Sequence, residues 1–178
     1  ADMKLNGYTG TIKNLAIDSV GRFWFFTEDG KVCICDRKAP VVTKVLPKGM
    51  TLPIEMKRHG DKVWMMSMNG MLAEYDMQLE EFRSVQSIPT VTAVESSSRM
   101  AMDITSNGDI WMMFDKDLVR YDSEAGTFSN VSSLSTYSRD LYTTIAIDKK
   151  DDIWIGPARS GGSIISDNGF QTQHLPYL

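Results

Sequence analysis

The chain has 178 residues, 42% of them apolar and 24% charged, with a net charge of −4. That length and composition can bury a core, which excludes a disordered or coiled-coil polypeptide. The mild, mixed charge leaves no basic stripe for nucleic acid and no polybasic segment for an anionic membrane, and no apolar run is long enough to cross a bilayer.

From the N-terminus, residues 1–6 have no signal-peptide architecture and no start methionine, so a mature product or an excised piece is expected. Residues 3–5 read as a short strand and residues 6–10 as a loop. Leu15-Ala16-Ile17-Asp18 reads as a strand ending at an acidic turn, and Gly21 gives the backbone freedom for a reversal into Phe23-Trp24. Cys33 and Cys35 share one strand face, about 6.6 Å apart at roughly 3.3 Å of rise per residue. A disulfide needs a Cβ separation of about 3.5–4.5 Å, so both are expected to be free, buried and structural.

The linker Pro47-Lys48-Gly49 leads to Ile54-Glu55-Met56-Lys57-Arg58, then to Asp61, Val63-Trp64 and Tyr75-Asp76. A longer connection with a serine-rich end, 90–98, precedes Met100-Ala101-Met102-Asp103, Gly108, Ile110-Trp111 and Tyr121-Asp122. Residues 135–140 connect to Ile145-Ala146-Ile147-Asp148, Asp151 and Ile153-Trp154. A further β-prone run closes each unit, at 41–46, 81–85, 127–131 and 170–175.

These pieces are one pattern repeated. Trp24, Trp64, Trp111 and Trp154 recur at intervals of 40, 47 and 43 residues. A turn former stands three residues before each (Gly21, Asp61, Gly108, Asp151), and an apolar residue immediately before it. An aspartate follows 11 to 13 residues later, at Asp36, Asp76, Asp122 and Asp167. Four short strands per 40–47 residues is the period of a propeller blade, so an all-β fold is expected, with blades at about 12–46, 52–88, 100–134 and 141–175. The fixed place of the tryptophans argues for packing between blades. Met65, Met66, Met68, Met71, Met112 and Met113 are expected to fill space between facing blades.

The phrases Ala-Ile-Asp-Ser-Val-Gly-Arg-Phe-Trp-Phe-Phe (16–26), Ser-Asn-Gly-Asp-Ile-Trp-Met-Met (106–113) and Asp-Lys-Lys-Asp-Asp-Ile-Trp-Ile-Gly (148–156) resemble the two-component regulator propellers. Those repeats form the extracytoplasmic sensor regions of bacterial hybrid histidine kinases, particularly in gut Bacteroidetes. The resemblance covers nearly the whole chain. The family's Gly-Leu ending of the second hairpin arm stands here as Gly30-Lys31, Gly70-Met71, Asp117-Leu118 and Gly162-Ser163. The resemblance implies a periplasmic piece of a larger, commonly seven-bladed sensor propeller of a two-component regulatory protein. It would bind an oligosaccharide or mediate receptor dimerisation, with any kinase elsewhere and no catalysis or cofactor in this segment. Four such blades leave the outer faces of the first and fourth uncovered, so self-association or a tighter four-blade closure is expected. Two other classes stay open: an enzyme resembling streptogramin lyases or sugar lactonases, and a ligand-free protein-interaction module.

Chemistry-bearing residues are sparse. His59 and His174 belong to no metal spacing or nucleophilic triad, so catalytic and metal-ligating residues are not expected. Asp18, Asp103, Asp148 and Asp151 recur at turns, which favours turn capping, and 148–152 is too sparse in oxygen ligands for a calcium loop. The sequon Asn130-Val131-Ser132 is a common chance match. Ligand binding is expected on the face shared by interblade loops and central hairpins, with Tyr137, Arg139, Tyr142, Arg159 and Asp115 as candidates.

Overall fold

A computed structural model describes residues 11–36, 41–89, 100–114, 117–133, 142–157, 163–165 and 173–174. The candidate strand at 3–5, the loop at 6–10 and the connections at 90–98 and 135–140 lie outside them. Every repeat folds as a four-stranded antiparallel sheet whose strands neighbour one another in chain order, which is the architecture of a propeller blade. The first contains β1 (Ile12–Ile17), β2 (Phe23–Thr27), β3 (Val32–Cys35) and β4 (Val42–Lys44). The second contains β5 (Pro53–His59), β6 (Lys62–Ser67), β7 (Met71–Asp76) and β8 (Glu81–Ser87). The third contains β9 (Met100–Ile104), β10 (Ile110–Phe114), β11 (Asp117–Asp122) and β12 (Thr127–Ser133). The fourth contains β13 (Tyr142–Ile147), β14 (Ile153–Pro157), β15 (Ser163–Ile165) and β16 (Gln173–His174).

Local chemistry explains why the chain reverses where it does. Gly21 and Gly108 adopt φ of +82° and +93°, the left-handed region that a tight reversal before the second strand requires. Asp151 holds the same place in the fourth repeat at φ +63°. Asp76 and Asp122, the aspartates after tyrosine, each accept two backbone N–H bonds and so shape the outer hairpin turns.

The chain divides into two compact units, Ala1–Ile88 and Pro89–Leu178, with two sheets in each. In the first, β1 lies against β5. Trp24, Phe26 and Ile34 from one sheet pack with Met56, Val63, Met65 and Tyr75 from the other, and the Trp24 ring meets Tyr75 edge-on at 4.7 Å. In the second, β9 lies against β13, and Trp111 and Met113 pack with Ile145, Ile153 and Ile155. Strand alternation puts neighbouring residues on opposite faces, so each seam takes the tryptophan of one blade and the residues flanking the tryptophan of the next. The expected methionine filling is seen at Met65 and Met113, which lie in these seams fully buried.

Cys33 and Cys35 are free and buried, and they pack with Phe25 on the face of the first sheet turned away from the Trp24 seam. Burial pushes the Cys33 thiol up, which keeps it protonated at neutral pH.

One expected equivalence shifts. Asp103 does not occupy the turn position of Asp18 and Asp148. It lies inside β9 opposite Trp111, and its carboxylate accepts the amide of Ile147 from the next blade at 2.8 Å. Thr105 takes the turn position instead, accepting the Gly108 amide as Asp18 accepts that of Gly21 and Asp148 that of Asp151. The reason lies in the turn, Thr105-Ser106-Asn107-Gly108, whose hydroxyl bonds the Asn107 side chain, so an aspartate is not needed there.

Candidate functional site

In the first unit, Asp18 is the best-satisfied carboxylate. It accepts the amides of Val20 and Arg22 on one oxygen, and Trp24 Nε1 at 2.9 Å with Arg22 Nε at 2.6 Å on the other. Burial alone would push its carboxyl up, but the bonds from Trp24 and Arg22 and the guanidinium charge outweigh it and hold the group below the usual carboxylate range. Arg22 also reaches Glu80 of the second blade at 3.3 Å. Trp154 repeats the bond to Asp148 at 3.1 Å. These contacts are structural: they tie the turn to the tryptophan and one blade to its neighbour.

A second node, in the other unit, opens onto solvent. Asp109 stands two residues before Trp111 and is buried, while Arg120 lies on β11 directly opposite Trp111. The Asp109 carboxylate accepts Arg120 Nε at 3.0 Å and Nη2 at 2.5 Å, the Ser123 amide at 3.1 Å and Asn107 Nδ2 at 3.2 Å. Burial acts to raise its pKa, and the Ser123, Arg120 and Asn107 bonds overcome that and lower it. Asp109 is therefore ionised at neutral pH, and the Arg120 side chain stays partly at the surface.

Beside this pair lies a cleft of about 150 Å³, lined by Thr105, Asn107, Asp109, Trp111, Arg120, Asp151 and Ile153. Asp151 arrives from the next blade and is anchored by Ser106, whose amide and hydroxyl both donate to its carboxylate at 2.7 and 2.5 Å. The cleft presents both signs of charge and an amide above an apolar floor. Trp111 belongs to the core and is 6% exposed, which leaves no open ring face for stacking. Among the described residues, no group of three or more His, Cys, Asp or Glu is placed to hold a metal ion.

Asp115, Tyr137, Arg139 and Arg159 lie outside the described residues, and of Tyr142 only the backbone, at the start of β13, is described. The cleft sits at the β9–β10 turn. Of the repeat residues, Trp24, Trp64 and Trp111 are buried, and Trp154 is 36% exposed. His59 ends β5 and His174 ends β16, one in each unit.

A sequence signal for the Asp109–Arg120 pair does exist. Lys62 and Glu74 occupy the same two places around Trp64 and form an ion pair at 2.9 Å, with the signs reversed. Opposite charges at these two places in both middle repeats mark a cross-strand pair. The first and last repeats have Ile34 and Ile164 opposite their tryptophans and lack the pair.

No protein-family model matches the sequence, and no curated protein sequence matches it. Many solved structures share the fold. Virginiamycin B lyase from Staphylococcus aureus superposes with a TM-score of 0.73 at 15% identity, over 93% of this chain and 56% of that one. A catalytically inactive form of that lyase with quinupristin gives 0.74 at 12% identity, over 98% and 58%. The extracellular domain of a hybrid two-component system from B. thetaiotaomicron gives 0.66 at 16% identity, over 98% of this chain and 26% of that one. This chain thus spans little more than half the length of the lyases and about a quarter of the sensor. At such identities the likeness establishes fold alone: the chain is built of β-propeller blades, an architecture shared by lyases and sensor domains.

Proposed function

We propose that the chain serves in an extracytoplasmic sensor propeller of a two-component regulatory protein, where it binds a neutral oligosaccharide without transforming it. The observation that carries this reading is the mixed-sign cleft at Asp109, Arg120, Asn107 and Asp151. Two carboxylates against one guanidinium disfavour an anion such as a phosphate, while carboxylates, an amide and a guanidinium side by side present donors and acceptors in the density that sugar hydroxyls match. The volume corresponds to roughly five waters at about 30 Å³ each, which suits one unit of a longer polar ligand and not a large apolar molecule. Signalling then follows from differential affinity for two receptor arrangements.

Calorimetric titration with a panel of plant and host oligosaccharides tests this. The expected result is saturable binding that weakens at least tenfold in Arg120→Lys, which keeps the charge but loses the fork, measured at a temperature where circular dichroism shows the variant folded. Absence of binding across the panel would overturn the ligand reading and leave a protein-interaction module. The lyase likeness supports a second reading, an enzyme. Incubation with quinupristin, followed by chromatography and mass measurement, is expected to return the compound unchanged; a converted product would favour the enzyme.

A further inference from the structure

The repeat tryptophans are not all capped alike. In the first and fourth blades the indole N–H donates to the aspartate that holds the turn before the second strand, Trp24 Nε1 to Asp18 Oδ2 at 2.9 Å and Trp154 Nε1 to Asp148 Oδ2 at 3.1 Å. That aspartate stands two residues beyond the tryptophan's cross-strand partner, Ala16 or Ala146, so it lies on the tryptophan's own face of the sheet. In the third blade the cross-strand partner is Asp103, and the same place falls on Thr105. A threonine hydroxyl sits one bond nearer the backbone than an aspartate carboxylate oxygen, and this one is engaged with the Asn107 side chain and the Asp109 carbonyl. Among the described residues the Trp111 N–H has no hydrogen-bond partner. The described side-chain polar atoms that are both unpaired and shut away from water are Tyr75 Oη and Ser84 Oγ, and the Trp111 nitrogen is not one of them. Trp111 and Thr105 both line the cleft, which is where that N–H meets water.

We infer that the Trp111 N–H is the specificity-determining donor of the cleft and that it takes a free hydroxyl of a sugar unit, seated where a carboxylate oxygen stands in the first and fourth blades. This rests on the reading of the cleft as a sugar site. The kind of oxygen follows from the neighbours. An anionic oxygen would meet the carboxylates of Asp109 and Asp151 in the same cleft. An ether or carbonyl oxygen accepts from the indole but has no proton to give those carboxylates. A hydroxyl does both. Trp24 and Trp154 cannot serve in this way, because their N–H groups are already spent on Asp18 and Asp148.

Two-dimensional 1H–15N spectra of the indole groups, with the signals assigned, test the inference in two steps. In the free protein the Trp111 N–H is expected to exchange with water faster than that of Trp24, which is wholly buried and capped. Exchange as slow as at Trp24 overturns the inference and leaves the sugar reading standing. On titration with each oligosaccharide of the panel that binds by calorimetry, the Trp111 signal is expected to move with the calorimetric Kd while the Trp24 signal stays. Thr105→Asn places a neutral acceptor at the turn position and caps the indole from within, so it slows the Trp111 exchange and weakens binding by about tenfold or more. Thr105→Ser keeps the short hydroxyl and binds as wild type does; circular dichroism verifies that both variants fold. A sugar that binds without moving the Trp111 signal overturns the inference alone. So does one that binds Thr105→Asn as tightly as wild type, or one whose loss is as large in Thr105→Ser. Absence of binding across the panel overturns both this inference and the sugar reading.

Discussion

Replacing Trp24 by phenylalanine, and separately Trp154 by phenylalanine, sets the same substitution at the same repeat position against two environments. Trp24 is wholly buried, donates to the Asp18 carboxylate at 2.9 Å and lies 4.7 Å from the Tyr75 ring. A hydrogen bond to a charged acceptor contributes about 1.5–3 kcal/mol. The missing part of the indole is worth about one to two methylenes at about 0.8 kcal/mol each. The expected loss is therefore about 2.5–4.5 kcal/mol. Trp154 makes the matching bond to Asp148 at 3.1 Å but is a third exposed, so water replaces much of what is lost and about 0.5–1 kcal/mol is expected. Urea unfolding is the assay. With a slope of about 2 kcal/mol per molar, the midpoint falls by about 1.2–2.2 M for Trp24→Phe and by under about 0.5 M for Trp154→Phe. Equal shifts for the two variants, or a loss below about 1 kcal/mol at Trp24, would refute the assignment of Trp24 to a closed seam and Trp154 to an open face.

Acid should act through Asp18 and Asp109, both held below the usual carboxylate value in the folded chain. Their contribution is fully present above the unfolded pKa of about 3.9 and is lost as pH falls through the lower folded values, so urea midpoints measured from pH 5 downward drop below about pH 4, less steeply in Asp109→Asn. The Ser106–Asp151 latch predicts a coupling of about 0.5–1.5 kcal/mol in a double-mutant cycle. Asp151→Gly relieves a left-handed backbone but gives up the latch, so it is near neutral in wild type and stabilising by about 0.5–1 kcal/mol in Ser106→Ala, as thermal melts would show. Burial of Cys33 and Cys35 predicts slow alkylation by iodoacetamide in the native protein and rapid alkylation in urea, followed by mass spectrometry; fast native labelling would contradict their packing with Phe25.

The blade architecture was legible because it rests on local rules. Strand alternation, a left-handed turn at Gly21 and Gly108, and a tryptophan in constant register recur every 40–47 residues, and each needs only nearby residues to be satisfied. The capping aspartates Asp18 and Asp148 were legible for the same reason. Asp103 was misplaced because its spelling matches Asp18, yet its partner, the Ile147 amide, is 44 residues away. The cleft was missed likewise: Asp109, Arg120 and Asp151 come from a turn, a third strand and the next blade, and their convergence depends on how the sheets pack. Burial of one tryptophan and exposure of another at the same repeat position is also a tertiary decision, since identical local chemistry leaves Trp24 covered and Trp154 open according to whether a receiving face lies against it. Periodicity in the sequence thus determined which residues form strands and which side each faces. Only the packing of sheet on sheet decided which polar groups meet and which apolar faces stay in water.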